Sequence, residues 1–258
     1  MNQYEAIYIR QSVRHYSRKA VPAVLLRQIK NCAEKLPFLQ NEDCCFVKIY
    51  NAREAQKKIK GMFRINAPYY MAVFTKKTSF SMIEAGCYAQ KLVLYMTTKG
   101  LGTCYQGGSK LAESEIPENM QLAMIIAFGY AERELTRESK LARRQALNKL
   151  CRFRATPSEE FRVMLKAARL APSAMNRQPW RFVVWDDRID IYLQEDVLLK
   201  KISMFSQLFD IGIVLCHLLE AADEQWLPVE AVREDVTAAF KAGEKNSRYM
   251  ITVRKSEL

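Results

Sequence analysis

Ala171-Pro172-Ser173-Ala174-Met175-Asn176-Arg177-Gln178-Pro179-Trp180-Arg181-Phe182 lies between two apolar runs of different period. The run before it opens at Pro157-Ser158-Glu159-Glu160 and reads as a helix to Leu170. The run after it, Trp180 to Trp185, reads as a strand that pairs with Ile189 to Leu193 about the turn Asp186-Asp187-Arg188. Between them come a helix-stopping proline, small residues, two carboxamides and a Pro-Trp corner. Polar side chains held between two rigid elements suit ligand reading better than core packing.

Upstream, residues 2–9 form a short helix, followed by Arg10-Gln11-Ser12-Val13-Arg14. Arginine offers a planar fork that matches phosphate oxygens, and a serine hydroxyl donates to a further oxygen; a plain surface turn accounts for the same residues. Pro22 opens a helix that Pro37 ends. Cys44 to Tyr50 is a strand, 53–63 a helix, and Tyr69 to Phe74 a near-continuous apolar run that reads as a buried strand. Ser79 to Lys99, capped by its opening serines, is apolar on most sides and reads as a central helix stopped at Gly100. Thr103 to Gly108 ends in paired glycines, which allow close approach to a ligand or simply make a turn. Met124 to Tyr130 is a second buried strand. Residues 131–154 read as a charged arm, Phe205 to Ala222 as a second apolar helix, and Tyr249 to Val253 as a closing strand.

Apolar residues make up 49% of the 258 and charged residues 26%, the balance of a soluble globular chain. No apolar run reaches the roughly 18–20 residues that span a bilayer, and Met1 to Glu5 lacks a secretory apolar core. The seven cysteines, odd in number and without zinc-type spacing, read as reduced thiols of a cytoplasmic protein. The net charge of +12 is concentrated: residues 10–35 carry seven cations against one anion, and residues 133–154 eight against two. Such clusters suit a phosphate-bearing ligand, a nucleic acid, a membrane surface or plain solvation. Aromatic and basic residues do not interleave as nucleic-acid binding favours, so neither nucleic acid nor membrane is the expected partner. Of the two histidines, His217 reads as packed in its apolar helix and His15 as exposed.

The chain resembles itself. Ala155-Thr156-Pro157 repeats Ala20-Val21-Pro22 135 residues later, and at that spacing Ile29 meets Met164, Ala33 meets Ala168 and Pro37 meets Pro172. Phe46-Val47 matches Phe182-Val183, and Glu84-Ala85-Gly86 matches Asp210-Ile211-Gly212. This spacing is too long for a solenoid and suggests two pseudo-equivalent halves about a pseudo-twofold axis. We divide them as 1–154, with the arm 131–154, and 155–258. The halves differ where chemistry would lie. Pro37-Phe38-Leu39-Gln40-Asn41 replaces the polar corner in the first, and Cys151-Arg152-Phe153 replaces Arg-x-Ser-x-Arg in the second.

Arg10–Arg14, Gly100–Cys104 and above all Pro172-Ser173-x-x-Asn176-x-Gln178-Pro179-Trp180 resemble the motifs of the nitroreductase family of flavin enzymes. The order departs from the family's usual one, in which the corner follows the N-terminal motif directly; a single-chain, two-half branch explains this. The resemblance implies an α+β nitroreductase-like fold, with antiparallel or mixed sheets flanked by helices and the central helices at the pseudo-dimer interface. It implies one FMN and, as electron donor, NAD(P)H. Arg10, Ser12 and Arg14 would hold the phosphate and ribityl chain, joined by Arg143 and Arg144. Pro172, Ser173, Asn176 and Gln178 would come from the other half, and Tyr105, Gln106, Gly107 and Gly108 would lie along the ring. The implied reaction is ping-pong transfer from NAD(P)H to a nitro compound, quinone or similar small-molecule acceptor, with no catalytic side chain, by a monomer acting as a pseudo-dimer. Enone reduction, dehalogenation, flavin handling or binding without turnover are the alternatives within the family.

Overall fold

The computed structural model describes residues 1–39, 44–61, 65–194, 204–233 and 247–256. Gln40 and Asn41, at the end of the first-half corner, lie outside the described residues.

The first half opens with helices α1 (Gln3–Ile9) and α2 (Ala23–Lys35). Asn2 and Glu5 close a reciprocal capping box on α1, satisfying two otherwise free backbone donors. Strand β1 (Cys45–Asn51), helix α3 (Ala52–Lys58) and strand β2 (Ile59–Gly61) follow. The helix expected over 53–63 therefore stops at Lys58. Ile59–Gly61 leaves it to pair with β5 (Ser109–Leu111), a partner some fifty residues away. Strand β3 (Tyr69–Lys76), helix α4 (Ser79–Thr98), strand β4 (Gly102–Tyr105) and strand β6 (Met120–Gly129) complete this half. The cap of α4 is Thr78, one residue before the expected serine; its hydroxyl accepts from the Ser81 N–H. The near-continuous apolar run of β3 has a direct cause. Met71 and Val73 face the main core, while Tyr70, Ala72 and Phe74 face a second cluster with Tyr50, Ile59 and Leu111. Both faces are dry, so neither needs polar residues.

The arm lies over the surface, with only Ala142 and Leu150 buried, but it is not without regular structure. It ends in helix α5 (Leu147–Leu150) and strand β7 (Cys151–Phe153). Strand β7 pairs parallel with β8 (Trp180–Val184), so the second sheet takes its edge strand from before residue 155. Helix α6 (Glu159–Arg169), strand β9 (Arg188–Gln194), helix α7 (Met204–Glu224), strand β10 (Val229–Val232) and strand β11 (Ser247–Lys255) follow. The expected closing strand lies inside its sheet, between β9 and β10.

The first sheet runs β1-β3-β6-β4 and the second β10-β11-β9-β8-β7. Without β7, the second repeats the first in order and in antiparallel sense, with β8, β9, β11 and β10 in the places of β1, β3, β6 and β4. The fold is α+β. The repeat extends to side chains: Glu84 Oε1 accepts from the Leu39 N–H at 2.9 Å, and Asp210 accepts from the Ala174 N–H at 3.1 Å. Each acid thus pins the residue two places beyond the matching proline, Pro37 or Pro172.

Helices α4 and α7 are the central pair. They touch at Gly86 and Gly212, where a Cβ on Gly212 would lie 1.9 Å from the Ile83 carbonyl oxygen and one on Gly86 2.1 Å from that of Phe209. No side chain fits between the two backbones there. Among the described residues, no helix is long and apolar enough to cross a membrane.

Candidate active site at the seam of the two halves

The segment after α1 runs extended between β4 and the arm. Val13 N–H donates to the Thr103 carbonyl at 2.9 Å, and Ser12 bridges Thr103 in parallel sense. On the other side Arg10 bridges Thr136, Tyr16 bridges Ala131, and Arg137 N–H donates to the Ile9 carbonyl at 2.8 Å. Gln11 Nε2 donates to the carbonyls of Glu134 and Thr136, both at 3.0 Å. The motif thus zips the arm to the first sheet. Gly102 permits the approach, since a Cβ there would lie 2.6 Å from Val13 Cγ2. An open cavity of about 540 Å³ is lined by Gln11 to His15 with Arg133 and Glu134.

The 171–179 corner is strained and internally bonded. Met175, Asn176 and Gln178 all adopt left-handed φ, at 52°, 57° and 53°. Three such non-glycine residues in four need strong local restraint, and such strain gathers at functional sites. The restraint is visible. Ser173 Oγ accepts from the Gln178 N–H at 2.8 Å, and Gln178 Oε1 accepts from the Gln145 N–H at 2.8 Å. Asn176 Nδ2 donates to the Arg143 carbonyl at 2.9 Å, and Asn176 Oδ1 accepts from Arg144 Nη1 at 2.7 Å. Arg144 also reaches the Leu170 carbonyl. The arm of the first half is thereby clamped to the corner of the second.

These contacts sort the expected site residues. Arg10 lies near enough to Arg14 and Arg144 for their charges to act on one another, and Arg144 bonds Asn176, while Ser12 bridges Thr103 and Ser173 holds Gln178. Pro172 and Gln178 are buried, and Gln178 serves as a brace. Arg143 contributes its carbonyl, while its side chain is exposed, so the assignment of its guanidinium to a phosphate is not supported by its position. Gly107 and Gly108 make the exposed turn from β4 to β5, where Gly108 packs on Gly61, and not a wall of the seam. Gln106 is buried and accepts the Ile65 N–H at 2.9 Å, holding the loop before β3.

Tyr105 leads into a buried chain that the sequence did not announce. Its hydroxyl donates to Gln90 Oε1 at 2.8 Å, Gln90 Nε2 meets His217 Nε2 at 2.9 Å, and His217 Nδ1 meets the Ala167 carbonyl at 2.9 Å. A carbonyl only accepts, so Nδ1 carries the proton and Nε2 accepts from Gln90. The ring is neutral, and burial pushes it down to about 3, with Arg10 and Arg144 adding to that effect against the Ala167 carbonyl.

The electrostatics of the seam are one-sided. Arg10 is 4% exposed and its Nη1 has no partner; Nε of Arg137 is buried and likewise unpartnered. Burial lowers Arg10 to about 10, and Arg137 and Arg14 lower it further, against Tyr105 and Cys104. Burial also lowers Arg144 to about 10, with Arg10, Arg137 and Arg169 adding to it. Both stay cationic at neutral pH. Among the described residues, no carboxylate pairs with Arg10, Arg14, Arg137 or Arg144. Buried cations without an acid are costly, and an anionic ligand removes that cost.

Asp210, buried beneath the corner, has the opposite problem. Burial pushes its carboxyl up to about 8, against the Ala174 N–H and the Arg177 guanidinium. From about pH 4 to 8 the folded chain therefore keeps a proton that the unfolded chain has lost. Its stabilising contribution is complete below pH 4 and disappears as pH rises towards 8. His217 has the reverse slope: its contribution is complete above about pH 6.5 and is lost as pH falls towards 3. The two offset between pH 4 and 6.5, leaving the Asp210 slope visible above. Asp210→Asn keeps an acceptor for Ala174 and removes that slope. Urea unfolding at pH 6.5, 7.25 and 8 should show the wild type losing stability relative to the variant at up to about 1.4 kcal/mol per pH unit. A pH-independent difference would exclude the assignment.

Fold and site together define a two-sheet α+β protein with an arginine cluster, free of paired acids among the described residues, between its two sheets. Residues 2–222 match the family described as "Putative TM nitroreductase", and the chain belongs to that nitroreductase family. A Thermotoga maritima structure of the same description aligns with 100% of this chain and 95% of its own, at 21% identity and a TM-score of 0.69. A nitroreductase family protein from Clostridium difficile 630 aligns over 60% of this chain and 100% of its own, at 18% identity and a TM-score of 0.52. No curated protein matches the chain.

Proposed function

We propose that the chain is an FMN-dependent oxidoreductase that passes reducing equivalents from NAD(P)H to a nitro compound, quinone or similar small acceptor. Family membership supports the flavin class. The observation that carries the cofactor assignment is the buried, unpartnered Nη1 of Arg10 beside further cations with no acid among them. A flavin phosphate is a dianion with acceptor oxygens on every side, and it fits that donor set. Arg10, Ser12, Arg14 and Arg144 would hold the phosphate and ribityl chain, Ser173 and Asn176 would border them from the second half, and Tyr105 would stand beside the ring.

When bound, the cofactor supplies hydride acceptance from the nicotinamide and delivery to the second substrate. The protein positions, charges and dries the site. Tyr105 spends its proton on Gln90, and His217 is neutral and enclosed, so no side chain is assigned as acid or base. The recurrence of strand order and of the Glu84 and Asp210 contacts supports a duplicated unit whose first-half corner has decayed, leaving one site.

Protein purified without added flavin should be yellow, with one FMN per chain, and should oxidise NADH or NADPH with parallel-line kinetics when the acceptor is varied. Colourless protein that takes up no FMN would overturn the proposal. Two FMN per chain would overturn the single site.

A further inference from the structure

We propose that Arg137, outside both the Arg10–Arg14 motif and the Arg143–Arg144 pair, binds the flavin phosphate directly and makes the site prefer phosphorylated over unphosphorylated flavin. The inference rests on the FMN reading above and names a residue that reading does not contain. Its backbone is fixed by the bond to Ile9 at 2.8 Å, next to the Arg10–Thr136 bridge. The side chain is half-buried with its Nε enclosed, near enough to Arg10 for the two charges to repel. Nε of Arg137 and Nη1 of Arg10 are both enclosed and both lack a partner. Arg137 also bears on Arg144, whose Nη1 is bonded to Asn176, so the three guanidinium groups converge from the motif, the arm and the clamped corner.

Two enclosed N–H donors on adjacent cations cannot satisfy each other. They require an acceptor carrying negative charge, and one tetrahedral dianion offers oxygens to both. Other arm residues do not meet this description: the Arg143 side chain is exposed, and Lys140 pairs with Glu138 at 2.6 Å in solvent.

The test is fluorescence titration of the flavin-free full chain with FMN and with riboflavin, which lacks the phosphate. Wild type should bind FMN more tightly than riboflavin. Arg137→Gln should lose about 10- to 100-fold in FMN affinity and leave riboflavin affinity unchanged. Lys140→Gln, which removes a charge from the same arm, should alter neither by more than about 2-fold. Arg137→Lys, which keeps the charge, should recover part of the preference and serves if the glutamine variant folds poorly. An FMN-to-riboflavin ratio in Arg137→Gln equal to that of wild type overturns the assignment, as does an equal loss for both flavins, which would signal a packing role. Wild type that binds neither flavin overturns the FMN reading itself.

Discussion

Gly212→Ala is expected to cost the fold about 3 kcal/mol or more and to lower the melting temperature by roughly 6–12 °C. The added methyl would sit 1.9 Å from the Ile83 carbonyl oxygen, 2.7 Å from the Cys87 nitrogen and 2.8 Å from Gly86 Cα. All three are backbone atoms of α4, so no side chain can rotate away. The helices must separate, and the packing between the halves opens with them. Separation also displaces Asp210 and His217, one turn or so away on α7, so the corner and the Tyr105 chain should loosen together. Gly86→Ala should behave alike, with its Cβ 2.1 Å from the Phe209 carbonyl oxygen. Gly107→Ala is the control: nothing lies within 4 Å of its Cβ, and a change of at most a few tenths of a kcal/mol in urea unfolding is expected. If Gly212→Ala unfolded at the wild-type midpoint, the backbone contact between α4 and α7 would be refuted.

Arg10→Met is expected to move stability and cofactor affinity in opposite directions. Methionine keeps much of the buried volume and leaves the backbone bond to Ala6 and the Thr136 bridge intact. It removes a cation that is 4% exposed, lacks an acid partner and is repelled by Arg137 and Arg14. Flavin-free protein should therefore melt no lower than wild type, and higher at low salt, where that repulsion is strongest. FMN affinity should fall roughly 10- to 150-fold, the weight of a charge-assisted hydrogen bond. Differential scanning of flavin-free protein and flavin titration on the same samples give both numbers. A variant that lost stability while retaining FMN would show Arg10 to be a structural residue.

Much of this was legible in the chain because it depends on near neighbours. Helices α1, α4, α6 and α7 declare themselves by period and capping, and β3, β6 and β8 by apolar content. The match of Glu84-Ala85-Gly86 with Asp210-Ile211-Gly212 pairs the two central helices, while their crossing at the glycines is seen only in the fold. What escaped the chain were elements made by distant partners. Val229–Val232 is a strand only because β11 pairs with it, and Cys151–Phe153 only because β8 lies beside it. Each is only three or four residues long, too short to show a strand period on its own account. Lys57 and Lys58 continue a helical pattern into Ile59, and only the 109–111 partner draws the next residues into a strand.

The site divides in the same way. The sequence by itself determined which residue types are present and where along the chain they cluster: arginines about Ser12 near the start, carboxamides after Pro172 in the second half. Only the tertiary structure decided what those groups are free to do. Gln178 and Asn176 are bound to the arm, Arg143 faces solvent, and Arg137, in no motif, is half-buried with its Nε enclosed. Motif spacing reports chemistry along the chain, whereas desolvation and hydrogen-bond commitment depend on atoms brought together from α1, the arm and the second-half corner.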